Sequence, residues 1–490
     1  MCGNMALQAT ISGQQIASCC PNSPQQVEHS HGKSRNPLRL RETMTPKINA
    51  PAIRIRDPIH GTLHLTRAEI NLIDAPAYQR LRMIKQLGLA DLAFPGATHT
   101  RYAHGLGTMN NATRMFNQVS QFYDLKHEDK QRLRTTVRLA ALFHDLGHAP
   151  LSHTTEAFMP PVEELDLGRW QEGQDGTRAS HEDYTLKFLT GSELTQRIQE
   201  RITPDFGVTP DDIASLVAGR TASPEDRKRF IVAGLDWLPV LRQCVSSELD
   251  ADRMDYLLRD SYYAGVPYGR YDLEWLLENL TPVEIGDRIH LGLDARASFS
   301  FEDFLLSRYH MFTSVYLHQI PISYEAMLRK FQAEEEGSLI VPSDIESYLR
   351  CDDVWLWNAL RESKSEWAQR IVDRRAYRML AEVKIFQDHG QVEQVSHDID
   401  LDELKADLDD AGIDSIIHGA KGQLSKYYRI SNRPQPADSL DPSMYIVDGQ
   451  QTIPIENYSP VFRRYAGAVN IKRIYIDPTR HSDAKKILNR

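Results

Sequence analysis

Residues Ala140–His153, AALFHDLGHAPLSH, set an adjacent histidine and aspartate, His144 and Asp145, at the end of an apolar run. Two further histidines, His148 and His153, follow close behind. Imidazole beside carboxylate on a bed of aliphatic side chains is a donor set for a divalent metal that activates water. The dipeptide alone carries little information, and its partners elsewhere in the chain give it meaning. Upstream, His104 in HTRYAHGLG (His99–Gly107) opens a segment in which Leu106, Met109, Ala112, Met115 and Phe116 recur at helical spacing. A second helix is expected from about Glu128 through Leu146, with Leu133, Val137, Ala140 and Ala141 as its apolar face and Gly147 and Pro150 as its stop. Neighbours inside a regular helix point about 100° apart, so it is at a terminus that His144 and Asp145 can turn towards one ion. Far downstream, SSELDADRMDYLLRD (Ser246–Asp260) crowds Asp250, Asp252, Asp255 and Asp260 onto a helix faced by Leu249, Met254, Leu257 and Leu258.

The chain has 490 residues, enough for a core and a smaller appendage. Residues 1–45 are rich in Gln, Ser and Asn without periodicity and read as disordered. Helical patterning dominates from Leu65 to about Glu335, within a core expected over 46–340, and 341–490 reads as a mixed α+β region. The expected fold class is thus mainly α, an all-helical core with a smaller α+β C-terminal region. Val283–Leu293 alternates around Gly286 like a hairpin, and Asp166–Thr177, with Gly168, Gly173 and Gly176, reads as an exposed loop. Strand-like pieces occur at Ala381–Phe386, Tyr427–Ile430, Met444–Val447 and Ile474–Ile476. Asp398–Asp414 is acidic and Arg463–Arg490 basic, and both read as solvated faces. No apolar run is long enough to span a membrane, and the N-terminus lacks a signal pattern. The five cysteines (Cys2, Cys19, Cys20, Cys244, Cys351) have no metal spacing, which suggests a reducing cytoplasm. A net charge of −10 makes nucleic acid an unexpected partner.

Six ordered stretches carry a family resemblance: DPIHG (Asp57–Gly61), IDAPAYQRLRMIKQLG (Ile73–Gly88), FPGATHTRYAHGLG (Phe94–Gly107), HDLGHAPLSH (His144–His153), HED (His181–Asp183) and LDADRMDYLLRD (Leu249–Asp260). The chain resembles the HD superfamily of metal-dependent phosphohydrolases, and within it the deoxynucleoside triphosphate triphosphohydrolases, dGTPase-like enzymes included. The resemblance covers residues of roughly 53 to 335. It implies that His104, His144, Asp145 and Asp252 are metal ligands. Two imidazoles and two carboxylates favour Mn²⁺, Fe²⁺ or Zn²⁺, with Mg²⁺ able to act beside a phosphate substrate.

Attack of metal-activated water on an α-phosphorus expels a 5′-oxygen of high pKa, so a protonated histidine must stand close by. His148, His153 and His181 occupy positions that the family fills with active-site histidines, and Glu156 stands where relatives place an Asp. Either His153 or His181 is the expected acid, held by Glu156. Arg101 matches a family arginine at the α-phosphate. Arg253, where a mammalian member has Lys, keeps the cation, and Tyr256 and Arg308 match further phosphate contacts. Gln86, Asp260 and Tyr316 match residues that read the deoxyribose, with Tyr316 where a 2′-hydroxyl would clash. Asp74, Gln79 and Arg82 match a site for an activating guanine nucleotide between subunits. Three positions depart from that second pattern: Ile53 replaces a family lysine, Arg56 an Asn and Gln319 a Lys. The expectation is a metal-dependent, homo-oligomeric (dimer or tetramer) enzyme that releases triphosphate from dNTPs. The alternatives are another HD-type nucleotide phosphatase or phosphodiesterase, or a nucleotide-sensing or nucleic-acid-binding regulator on the same fold.

Overall fold

A computed structural model describes residues 53–171, 176–335, 339–388, 391–394, 399–423, 444–465 and 468–489. The N-terminal 1–45 segment, Cys2, Cys19, Cys20 and the strand expected at Tyr427–Ile430 lie outside the described residues. The fold is mainly α. Its centre is the helix Arg101–Ser120 packed on His127–Phe143, on Ala251–Ala264 and on Leu238–Val245. Every apolar residue read at helical spacing between Leu106 and Phe116 is buried, as are Leu133, Val137, Ala140 and Ala141. These side chains form one contiguous core, and each fully buried Leu or Phe contributes roughly 1.5–3 kcal/mol by leaving water. Helix starts are fixed locally: Ser180 and Asp183 form a reciprocal cap for His181–Gly191, and Asp250 accepts from Arg253 N at the head of Ala251–Ala264.

One boundary differs from expectation. The helix expected to reach Leu146 ends at Phe143, and His144–Gly147 form turns. Gly147 has no room for a side chain: a Cβ there would stand 2.1 Å from His181 O and 2.5 Å from Thr185 N. The chain must leave the helical path early to bring the His181–Gly191 helix against the HD turn, where Thr185 Oγ1 accepts from Gly147 N at 2.9 Å.

The expected hairpin is present as strands Leu280–Ile285 and Arg288–Asp294, antiparallel about Gly286. Tyr445–Asp448 returns from the far end of the chain and pairs parallel with Arg288–Asp294. Met444, Ile446, Ile455 and Phe462 join the helical core there. A second sheet, all antiparallel, orders Gln391–Gln394, Arg378–Asp388, Ala468–Ile476 and Ser415–Gln423. The acidic tract forms a helix, Leu401–Asp410, that buries Leu401, Leu404 and Leu408 and leaves its acids exposed. Among the described residues, no helix is long and apolar enough to cross a membrane.

Candidate active site

The four residues that the resemblance implies as metal ligands lie close together. His104 Nε2 lies 3.1 Å from Asp252 Oδ1 and 3.5 Å from Asp145 Oδ2. His144 Nε2 lies 3.4 Å from Asp145 Oδ1 and 3.5 Å from Asp252 Oδ1. The tightest group is His104, His144 and Asp252; Asp145 stands beside it with Oδ2 on Arg101 and Oδ1 3.1 Å from His148 Nε2. Both imidazoles are anchored through Nδ1. His144 Nδ1 donates to Ala141 O at 2.8 Å, leaving Nε2 buried with no hydrogen-bond partner among the described residues. A buried ring nitrogen facing two carboxylates and a second imidazole is an arrangement that could hold a divalent cation. Burial works against charge on His104, yet hydrogen bonds and charge from Asp252 and Asp255 raise its pKa to about 10. For His144, burial is outweighed by Asp145 and Asp252 and the pKa also rises. Burial opposes ionisation of Asp145, but Arg101, His144 and His148 hold its carboxyl well below the usual range. These carboxylates favour the protonated form of both imidazoles, and a divalent cation held by the same donors would displace those protons.

A supporting network that the sequence reading passed over lies behind His104. Its Nδ1 donates to Asp255 Oδ2 at 2.7 Å. Asp255, fully buried, also receives His60 Nε2 at 2.6 Å and Arg259 Nε and Nη2 at 2.8 and 2.9 Å. Arg259 continues to Asp57 at 2.9 Å, and Asp57 Oδ1 accepts from Ile59 N and His60 N at 2.9 Å each. The DPIHG motif thus closes on the metal site from behind. Gly107 makes this approach possible, since a Cβ there would stand 1.9 Å from Asp255 Oδ1. The signal that could have found it is helical spacing. Asp255 and Arg259 are four apart and share a face, whereas Asp252, Tyr256 and Asp260 line the next one.

The second histidine group lies alongside. His148 stacks on His181 with ring centroids 3.9 Å apart, and His153 meets both edge-on. Glu156 joins the outer two, one oxygen on His181 Nδ1 and the other 3.1 Å from His153 Nδ1. Burial would raise the Glu156 carboxyl, but His153 and His181 lower it strongly. Burial would lower His181, but Glu156 raises it. His148 is driven well down by burial, Arg101 and His181. These four residues lie close enough together that they, too, could hold an ion.

Two cavities adjoin. One, about 260 Å³, is bordered by His144, Asp145, Asp252, His148 and His181. The other, about 590 Å³, is bordered by Asp260, Tyr316, Phe312 and Leu317 and reaches out to Glu325. Gln86, Arg101, His153 and Tyr256 line both. Tyr316 closes a π-helical turn, Phe312–Tyr316, and its hydroxyl donates to Asp260 Oδ2 at 2.8 Å, while His99 Nε2 holds Asp260 Oδ1 at 2.8 Å. Arg253 pairs with Asp250, and Arg308 lies 3.5 Å from Glu248; both guanidiniums are buried, and burial and Arg253 lower the pKa of Arg308. Neither arginine borders the two cavities, so their phosphate role stays an expectation from resemblance. Asp74, Gln79 and Arg82 cluster on a separate surface: Arg82 donates to Gln79 Oε1 at 2.8 Å and lies 3.5 Å over the Tyr102 ring.

Comparison with known proteins places these motifs in a wider group. Residues 101–260 match the family model of the HD domain, and residues 272–417 match that of the HD associated region. The uncharacterized protein YwfO of Bacillus subtilis is 34% identical over 299 residues, 60% of this chain and 59% of that protein. The deoxynucleoside triphosphate triphosphohydrolase SAMHD1 of Bos taurus is 26% identical over 310 residues, 61% of this chain and 49% of that protein. The match thus spans less than two thirds of either relative. A crystal structure of a hypothetical protein from Aquifex aeolicus superposes with a TM-score of 0.64 at 25% identity, covering 89% of this chain and 99% of that one.

Proposed function

Because the chain belongs to the HD-domain superfamily, with homologues named as triphosphohydrolases, we propose that it hydrolyses deoxynucleoside triphosphates to deoxynucleoside and triphosphate. One observation carries this reading: two adjoining cavities, metal donors around one and the Tyr316–Asp260 pair at the other, share Arg101 and His153 at their junction. A substrate with its sugar in the larger cavity and its phosphates in the smaller has its scissile bond at that junction. A divalent ion held by His104, His144, Asp145 and Asp252 supplies Lewis acidity and a water of lowered pKa.

The chain's own groups do the rest. Arg101, fixed by Asp145 and by Ser152 Oγ at 2.7 Å, directs its guanidinium at the phosphoryl oxygens. His153 lines both cavities whereas His181 borders only the metal-side one, so His153 is the better placed proton donor to the departing 5′-oxygen. Glu156 holds His153 by Nδ1 and leaves Nε2 for that transfer. Gln86 Oε1, buried and without a hydrogen-bond partner among the described residues, accepts from a sugar hydroxyl, and Tyr316 packs where a 2′-hydroxyl would lie. The surface of Asp74, Gln79 and Arg82 takes a guanine nucleotide in an oligomer. Incubation of purified protein with each dNTP and with Mn²⁺, Fe²⁺, Zn²⁺ or Mg²⁺, with products identified by chromatography, tests the reading. Release of deoxynucleoside and tripolyphosphate supports it; release of monophosphate and pyrophosphate, or no product with any metal, defeats it.

A further inference from the structure

Leu151 and Ser152, which lead into His153, both stand in left-handed backbone, with φ of 56° and 60°. Residues with a Cβ hold that conformation only where their surroundings over-determine it. The determinant here comes from 200 residues further along the chain. Leu151 N donates to Asp353 Oδ1 at 2.7 Å, and Lys85 N donates to Asp353 Oδ2 at 3.0 Å. Ser152 Oγ in turn donates to Lys85 O at 2.7 Å and accepts from Arg101 Nε at 2.7 Å. A single carboxylate therefore ties together the two segments that border the cavity junction, and Ser152 passes the fixed geometry to Arg101.

Asp353 opens the helix Asp353–Glu362, inside the HD associated region, yet the helix does not need it as a cap. Asp352 Oδ1 already accepts from Trp355 N at 3.0 Å. Both Asp353 oxygens face away from their own helix, and the residue is buried. Burial and Asp352 push its carboxyl up to about 6, while the Leu151 and Lys85 amides and the Lys85 ammonium act the other way. The charge is kept at neutral pH in a place that disfavours it, where two N–H groups require it.

We propose that Asp353 is a positioning residue: through the Leu151 and Lys85 amides it locks the left-handed Leu151–Ser152 pair, so that Ser152 holds Arg101 towards the substrate's phosphate in one geometry. On this account the HD associated region completes the phosphate side of the site without touching substrate. The proposal rests on the reading of Arg101 as a phosphate ligand given above.

The test compares Asp353→Asn, Ser152→Ala and Asp352→Asn with wild type, all as full chain. Three measurements are made: amide hydrogen exchange at 85 and 151, titration calorimetry of inorganic tripolyphosphate on metal-loaded protein, and metal content. Asp353→Asn removes the charge and presents an amide donor to one of the two N–H groups. Exchange at residue 85 or 151 should rise, and tripolyphosphate should bind about tenfold or more weakly, with metal content unchanged. Ser152→Ala should weaken tripolyphosphate similarly, and Asp352→Asn should leave both exchange and binding at wild-type values. Unchanged exchange in Asp353→Asn overturns the proposal, as does raised exchange with wild-type binding. Should Asp353→Asn fail to fold, Ser152→Ala still decides, since wild-type binding in that variant breaks the link to Arg101. None of these arms uses a dNTP, so a failure of the substrate reading leaves them interpretable.

Discussion

Replacing Asp255 by Asn tests whether the metal site is held from behind. The carboxylate is completely buried and receives His104, His60 and Arg259 at 2.6–2.9 Å. Asn keeps the shape but loses the charge and turns one acceptor into a donor. Loss of a ligand's orienting carboxylate typically lowers metal affinity 10- to 100-fold, or about 1.4–2.7 kcal/mol. Breaking a buried ion pair typically costs about 3–5 kcal/mol of stability; Arg259 keeps Asp57 at 2.9 Å, so the lower end, about 3 kcal/mol, is expected. Arg259, His104 and His60 hold the Asp255 carboxyl well below its ordinary value despite burial. A depressed pKa gives stability that is present above the ordinary carboxyl range and lost as pH falls through the folded value. The gap between wild type and variant should therefore hold from pH 8 to 5 and close in acid. Equilibrium dialysis with Mn²⁺ and guanidinium unfolding of the metal-free protein measure the two effects. A variant with wild-type Mn²⁺ affinity and an unfolding free energy within about 0.5 kcal/mol of wild type would falsify the supporting role.

Asp353 titrates in the opposite sense. Its folded pKa of about 6 lies above the ordinary 3.8, so its stabilising contribution is full below 3.8 and lost as pH rises through 6. Acidification from pH 7 to 4 should shift the wild-type unfolding free energy, relative to Asp353→Asn, upward by about 2 kcal/mol; a pH-independent difference in denaturant titrations counts against this. His153→Ala should slow dNTP hydrolysis by about 10²–10⁴, yet affect bis(p-nitrophenyl) phosphate far less because nitrophenolate leaves without a proton. Equal losses on both substrates would reject His153 as the acid. Tyr316→Ala should narrow a preference for dGTP over GTP that is typically ~10²-fold for a hydroxyl clash; equal turnover of the two by wild type refutes the contact. GTP should shift light-scattering mass and initial rate in wild type but not in Asp74→Ala, and indifference in both leaves Asp74, Gln79 and Arg82 as surface residues.

The parts of the site that were legible in the sequence are those whose chemistry is local. His144 and Asp145 are adjacent, His104 and Asp252 each sit on a strongly periodic helix, and these patterns survive folding unchanged. Long-range placement was not legible. His60 and Asp255 are 195 residues apart, Leu151 and Asp353 are 202 apart, and nothing in either neighbourhood marks a partner. The helix end at Phe143 was misplaced because Gly147 acts through a tertiary approach and not only as a helix breaker. Strand Ser415–Gln423 was not read because Gly419 and Gly422 dilute its apolar pattern, and Gln451–Pro454 because it is short and ends in proline. Arg473, counted among the bases of a solvated tail, is buried against Glu382 and donates to Leu317 O at 2.7 Å.

The parallel pairing of Tyr445–Asp448 with Arg288–Asp294 has a kinetic side. The strand that finishes the core sheet is made about 150 residues after the strand it joins, so its contacts form only after a long loop has closed. During synthesis, at roughly 5–20 residues per second, the central helices can assemble while Arg288–Asp294 still lacks Tyr445–Asp448 at its edge. That interval leaves a sheet edge open, which invites association with another nascent chain. A chain stopped at residue 340 would remain in that state permanently, with every candidate metal ligand present and that edge unpaired.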